Sequence, residues 1–247
     1  MLFRSSYSIG PGPLSPALKA LIGVNVAVFL LQSVAPGLTF TFGLMPAAVI
    51  GRLAVWQPLT YMFLHGGLLH IVFNMLALWM FGTELERRWG TPFFLKFYAV
   101  TGVGAGALTV LVSLLPFGVT AQLYHAIVIG ASGAIYGLLL AFGMMYPDRQ
   151  ILFFMIFPIP AKIFVMILGA IAFLSALSMP GDTVSHVGHL GGLLFGFVFL
   201  RMRGRWFDVR NSYYRWKRQR LQRKFQVYQT KRDREEGRPS DPDRWVN

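Results

Sequence analysis

The feature that most constrains this chain is a succession of long apolar runs almost free of Lys, Arg, Asp and Glu. A helix needs ~20 such residues to cross the hydrocarbon core of a bilayer, and several runs approach that length. Composition agrees, with 55% of the 247 residues apolar and 13% charged, against the roughly 25% charge usual in soluble domains. One polytopic membrane domain is expected, not two soluble ones. Cysteine is absent, which removes disulfides, thiolate catalysis and cysteine metal ligands.

Six spans are expected, at about residues 18–35, 60–82, 94–115, 132–146, 163–179 and 185–200. The first follows a Pro-, Gly- and Ser-rich stretch and ends at Ala35-Pro36, a poor cleavage context, so it reads as a span and not a signal peptide. Its Asn25 and Gln32 are expected to face other helices. Residues 36–59 are apolar but punctuated by Pro36, Gly37, Gly43, Pro46, Gly51 and Pro58. They cannot form one helix, and with Trp56 near their end they are expected to lie partly in the membrane interface. Glu84, Glu86, Arg87 and Arg88 are expected to close the second span in a charged turn. Gly102, Gly104 and Gly106 in the third span would let neighbouring backbones approach. Residues 116–129 read as a loop without charges. The fourth span is short, which places its first residue below the membrane surface. Pro158 and Pro160 forbid a helix running through 151–178, so residues 151–161 read as an extended interfacial segment.

Charge sets the orientation. The net charge is +13, but residues 201–247 carry 15 of the 23 basic and 6 of the 10 acidic side chains, and so +9 of that total. With this tail in the cytoplasm, six spans put the amino terminus there too. Arg4, Lys19, Arg87, Arg88, Lys96, Arg149 and Lys162 then share that side, and only Arg52 lies opposite, which is the positive-inside pattern. The basicity belongs to a tail, so nucleic acid is not expected; anionic lipid headgroups are its expected partner.

Chemistry enters at Gly130-Ala131-Ser132-Gly133-Ala134-Ile135-Tyr136-Gly137. A serine is a poor nucleophile unless a base and an oxyanion stabiliser reach it. Gly133 and Gly137 form a small-residue face, and Gly192 and Gly196 on the sixth span form a matching one. Packing these faces together brings His189 to Ser132, each in the opening turn of its helix. A neutral imidazole can accept the serine proton. No acid shares those spans, so a dyad is the simpler reading, and Asp182 in the preceding loop is not assigned a role. The amide of Ser132, at a helix start, is free for an oxyanion. His70 and Asn74, four apart on one helix face, could add donors. No His-Glu-x-x-His motif or carboxylate cluster is present, so neither a metal nor a cofactor is expected.

These residues resemble the rhomboid family of intramembrane serine proteases. The resemblance runs from Phe42-Gly43-Leu44-Met45-Pro46 through His65, His70 and Asn74 to Gly130-Ala131-Ser132-Gly133, and then to His189, Gly192 and Gly196. It implies an all-α membrane protein, a six-transmembrane-helix bundle with an interfacial first loop. Residues 1–16 would be a flexible cytoplasmic lead-in, 17–202 the protease domain and 203–247 the basic cytoplasmic tail. It further implies Ser132 as nucleophile, His189 as general base, and His70, Asn74 and Gly130 on the oxyanion side. Tyr136 would pack on the catalytic histidine, and Glu86 matches a structural acid. Where many members have Trp-Arg, this chain has Trp56-Gln57. The implied substrates are single-pass membrane proteins cut near the extracytoplasmic face of a plasma or inner membrane. The fifth span and the loop after it would form the lateral gate and cap. Thr120, Gln122, His125 and Ser185 are expected near the water entry.

The tail is expected to fix orientation or lie on lipid, and to take no part in the chemistry. Truncation after Arg205 should therefore leave cleavage of a model substrate in detergent unchanged, as followed by gel-resolved product formation.

Overall fold

Prolines, glycines and buried polar pairs set where the helices of this chain begin and end. The structure is a computed structural model and describes residues 12–116, 118–153, 157–178 and 186–202. Helix α1 (Pro16–Val34) opens with proline at its first position. Ser15 is its N-cap, and the Ser15 hydroxyl oxygen accepts from the Leu18 amide at 3.1 Å. The first loop then folds into α2 (Leu38–Phe42), α3 (Pro46–Gly51) and α4 (Gln57–Thr60), continued by a 3-10 turn at Tyr61–Phe63. Helices α5 (Leu68–Trp89) and α6 (Thr91–Ser113) are joined by Gly90 alone. Its φ of +79° lies in the left-handed region, which glycine enters without a Cβ clash.

Beyond α6 come α7 (Gly118–His125) and α8 (Ser132–Met145). An antiparallel hairpin follows, β1 (Gln150–Phe153) and β2 (Phe157–Pro160), with Gln150 opposite Pro160 and Phe153 opposite Phe157. Helices α9 (Ala161–Ser178) and α10 (His186–Met202) complete the described chain. Helices α1, α5 and α6 are long and apolar enough to cross a membrane, while α8, α9 and α10 are shorter apolar helices.

Helix α8 is central, packed on α5, α6 and α9 and meeting α10 through glycines. A Cβ on Gly192 would overlap the Gly133 carbonyl, and one on Gly196 would lie 3.2 Å from Gly137 Cα. The two small-residue faces therefore meet backbone to backbone, as their spacing predicts. Around α8, Leu78, Leu85, Phe94, Phe97 and Leu138 are fully enclosed in one cluster. Outward positions such as Leu30, Phe73 and Leu177 stay largely exposed and apolar, a surface suited to lipid and not to water.

Several expectations change. The second span does not occupy 60–82: Gln57–Phe63 form separate short helical turns, and α5 begins only at Leu68. Glu84, Glu86, Arg87 and Arg88 all belong to α5, with Arg87 and Arg88 in its last turn as expected, but the helix runs on to Trp89 and does not end near residue 82. Glu86 is the reason. It is 5% exposed, and its two carboxylate oxygens accept from the Ser15 hydroxyl at 2.5 Å and the Thr91 hydroxyl at 2.6 Å. Gly102 and Gly104 make notches for the side chains of Met62 and Phe195, while Gly106 admits a neighbouring backbone as expected, its Cβ position lying 3.3 Å from the Pro58 carbonyl oxygen and 3.1 Å from the Tyr61 ring. The 116–129 loop contains α7, so His125 ends a helix. Asn25 faces inward with 0% exposure, but its amide donates to Leu21 O of its own helix, a bond common to polar residues in apolar runs. Gln32 reaches Thr39 Oγ1 and accepts from the His65 amide. Residues 151–153 and 157–160 are extended, in β1 and β2, and Ala161 already belongs to α9. Asp182, Ser185, the loop between α9 and α10, most of the lead-in and the 203–247 tail lie outside the described residues.

Gly192→Ala should lower the stability of the detergent-solubilised protein by about 1–3 kcal/mol, because the added methyl forces α10 off α8. At roughly 2–4 °C per kcal/mol for a chain of this size, thermal unfolding will read it directly.

Candidate active site

The Gly133–Gly192 contact determines where the reactive side chains fall. Ser132 is the first residue of α8, and His189 lies in the first turn of α10. With the backbones touching one residue beyond Ser132, His189 Nε2 comes to 2.9 Å from Ser132 Oγ. The imidazole lies flat on Tyr136, centroids 4.1 Å apart and planes 4° from parallel. Tyr136 follows Ser132 by one helical turn, so the same helix supplies the serine and the surface that orients the histidine. His189 Nδ1 is buried and has no hydrogen-bond partner among the described residues.

Gly130 sits between Ser132 and α5. Its φ is +127°, and a Cβ there would stand 2.7 Å from His70 Nε2 and 3.8 Å from Ser132 Oγ. Glycine is thus required by backbone conformation and by space. On the first turn of α5, His70 Nδ1 accepts from the Gly66 amide at 3.2 Å, which leaves Nε2 to face Gly130. Asn74 Nδ2 donates to His70 O at 2.7 Å; an amide nitrogen carries a second hydrogen. The amide of Ser132, in the first turn, has no intrahelical acceptor. Tyr61, His70, Asn74, Gly130, Ser132 and His189 all line one cavity of about 440 Å³. Its wall continues along Phe73, Ala77 and Phe81 of α5 and Phe164 and Leu168 of α9. Among the described residues no three His, Asp or Glu side chains converge as metal ligands do.

A family model described as the Rhomboid domain matches residues 52–206. The chain belongs to the rhomboid family. "Rhomboid protease GluP" of Bacillus subtilis is 32% identical over 181 residues, covering 71% of this chain and 32% of that protein. "Rhomboid protein 1, mitochondrial" of Saccharomyces cerevisiae is 30% identical over 210 residues, covering 76% and 58%. "Putative rhomboid protease YdcA" of Bacillus subtilis is 31% identical over 143 residues, covering 58% and 64%. The chain thus spans from about a third to under two thirds of the length of these relatives. A rhomboid chain with these apolar helices is a membrane protein.

The structure brings together all six site residues singled out in the sequence: Ser132, His189, His70, Asn74, Gly130 and Tyr136. Thr120 and His125 are placed on α7; Thr120 donates to Leu115 O, and His125 packs edge-on against Tyr124. Two residues to which the sequence reading assigns no supporting role brace the site. Tyr61 anchors its hydroxyl on Gly102 O at 2.7 Å while its carbonyl accepts from the Gly130 amide at 2.9 Å. That bond holds the segment leading into Ser132.

Gln57 is the second. It is 2% exposed, its Oε1 accepts from the Met45 amide at 3.0 Å, and its Nε2 donates to Thr41 O at 3.3 Å. Trp56 Nε1 donates to the same carbonyl at 2.9 Å. In this rhomboid the glutamine that stands in place of the expected arginine braces the first loop through its neutral amide. The loop in turn clamps the site, because Leu44 exchanges both backbone hydrogen bonds with Val128, at 2.9 and 2.8 Å. A Trp-Gln pair inside an apolar, proline-broken loop was the only available signal.

Gln57→Leu leaves the half-buried Met45 amide without its acceptor and should cost about 1–3 kcal/mol. Hydrogen exchange should show faster exchange at Met45 and Leu44 than in the wild type, with α6 protection unchanged.

Proposed function

We propose that this rhomboid is an intramembrane serine endopeptidase whose Ser132–His189 dyad cleaves single-pass transmembrane substrates near the extracytoplasmic face. The observation that carries the reading is the 2.9 Å approach of His189 Nε2 to Ser132 Oγ, within a cavity walled on its far side by two apolar helices. Ser132 Oγ–H donates to Nε2, so the neutral tautomer with its proton on Nδ1 is the reactive one. As Oγ bonds to the scissile carbonyl carbon, the proton passes to Nε2. The carbonyl oxygen becomes an anion facing the Ser132 amide, His70 Nε2 and the remaining Asn74 N–H. Collapse breaks the C–N bond, and the imidazolium protonates the leaving amine. Water then repeats the cycle on the acyl-enzyme, returning its proton through His189.

The substrate path follows from the same cavity. Its wall between α5 and α9 is built of Phe73, Ala77, Phe81, Phe164 and Leu168, a lining matched to an apolar helix entering sideways. The Phe81 and Phe164 rings stand 6.5 Å apart across it. In this reading α1, α5, α6, α8, α9 and α10 all cross a plasma or inner membrane, with both termini in the cytoplasm and the first loop in the outer interface. The domain occupies residues 17–202, between a lead-in of 1–16 and a basic tail of 203–247 on anionic headgroups.

Cleavage of a single-pass substrate and labelling by a fluorophosphonate, both on purified protein in detergent, test this reading. Ser132→Ala and His189→Ala should each lose at least about 10³-fold in cleavage rate, and Ser132→Ala should lose labelling entirely. His70→Ala should lose about 10²-fold in kcat, as removal of one oxyanion donor does elsewhere. A folded wild type that neither cuts nor labels would instead favour a helix-binding protein without catalysis.

A further inference from the structure

The end of the bundle opposite Ser132 carries a cluster the proteolytic chemistry does not use. Helix α8 runs from Ser132 to Met145, so Tyr146 lies about 20 Å from the nucleophile at 1.5 Å rise per residue. Two guanidinium groups share its ring: Arg88 Cζ is 5.9 Å and Arg149 Cζ 6.0 Å from the centroid, the cation–π range. Arg149 Nη2 also meets Glu84 Oε1 at 3.2 Å, and Lys162 Nζ meets Asp148 Oδ1 at 2.7 Å. Arg88, Arg149 and Lys162 are all exposed. Arg88, Arg149 and Lys162 thus stand with two carboxylates, Glu84 and Asp148. Exposed ion pairs of this kind hold their partners weakly, so these three cations keep a surplus of one positive charge.

The surroundings are apolar. Phe157 on β2 is 61% exposed, and Met144 on the last turn of α8 is 44% exposed. Ala161 N donates to Arg149 O and Lys162 N donates to Pro147 O, which holds Arg149 and Lys162 together at the foot of α9. Met144 lies two residues before Tyr146 on the chain, and Phe157 three residues before Pro160 on β2. Planar guanidinium groups bind phosphate oxygens in pairs, and cations next to exposed hydrophobic side chains match a phosphodiester joined to acyl chains.

The geometry points to a binding site for an anionic phospholipid, its headgroup phosphate on Arg88, Arg149 and Lys162 around Tyr146 and its acyl chains along Phe157 and Met144. Charge complementarity and the adjoining apolar surface select the lipid over free phosphate. The site lies at the foot of α9, the helix that walls the cavity, and would couple lipid composition to the seating of that helix. It depends on the membrane residence of the chain and not on the Ser132–His189 chemistry, so either can fail alone.

The test titrates short-chain phosphatidylglycerol into the full-length protein in neutral detergent, reading the unfolding temperature, with phosphatidylcholine of equal chain length and inorganic phosphate as separate titrants. Wild type should gain stability with phosphatidylglycerol alone. Arg88→Gln combined with Arg149→Gln should raise the half-saturating concentration about 25-fold, fivefold per cation removed, while unfolding in lipid-free detergent stays that of a folded protein. Lys162→Gln, whose partner Asp148 is itself exposed, should raise it about fivefold and keeps the test decisive if the double variant does not fold. Arg149→Lys keeps the charge but loses the paired N–H edge, and should raise the half-saturating concentration by less than Arg149→Gln does. The basic tail is identical in every variant, so differences between them belong to this cluster. Equal responses to the two lipids, an equal response to inorganic phosphate, or unchanged half-saturation in the variants would overturn the proposal.

Discussion

The approach of Gly192 to the Gly133 carbonyl is the contact on which the site depends. Apolar helices in lipid gain nothing from leaving water, so their association rests on close packing, and nothing packs closer than two backbones without side chains between them. Ser132 precedes Gly133 by one residue and His189 precedes Gly192 by one helical turn. Their 2.9 Å separation is thus inherited from the backbone contact. Tyr136 then removes the remaining freedom by stacking on the imidazole. In the proposed mechanism no third side chain is needed to orient a ring already held between a tyrosine face and a neighbouring helix.

A second set of constraints comes from the first loop, which is bound by polar groups despite its hydrophobicity. Gln57, Trp56 and Thr60 all bond main-chain atoms of Thr41, Phe42 or Met45. Leu44 and Tyr61 then bond the segment at Val128 and Gly130. Most of these bonds satisfy backbone groups at helix ends or in loops, which lets irregular chain lie beside membrane helices. The positive φ of Gly130 is maintained by this bracing.

Much of this was legible in the sequence because it rests on local pattern. Apolar runs locate α1, α6, α8, α9 and α10 to within a few residues, and the glycine spacing at 133/137 and 192/196 anticipates which helices touch. The four-residue interval from His70 to Asn74 places both on one face. The failures share one cause, which is that the deciding partner is distant in sequence. Glu84 through Arg88 look like a helix end because charge in an apolar chain normally marks the surface. Glu86 stays inside the helix because its partner Ser15 lies 71 residues away. Likewise Gln57 looks like an ordinary loop residue until the folded chain shows Met45 and Thr41 against its amide. Tyr61 reads as an interfacial aromatic until Gly102 appears beneath its hydroxyl.

The double bond of Glu86 also bears on how the chain can assemble. Its two oxygens hold Ser15, which caps α1, and Thr91, the first residue of α6. During synthesis α1 emerges well before Glu86 exists, so its capping serine must wait in water or lipid headgroups for its acceptor. Thr91 follows Glu86 by only five residues and can bond as soon as the Gly90 turn closes. One carboxylate therefore serves a junction that is local in sequence, at the α5–α6 turn, and one that spans 71 positions, between α1 and α5.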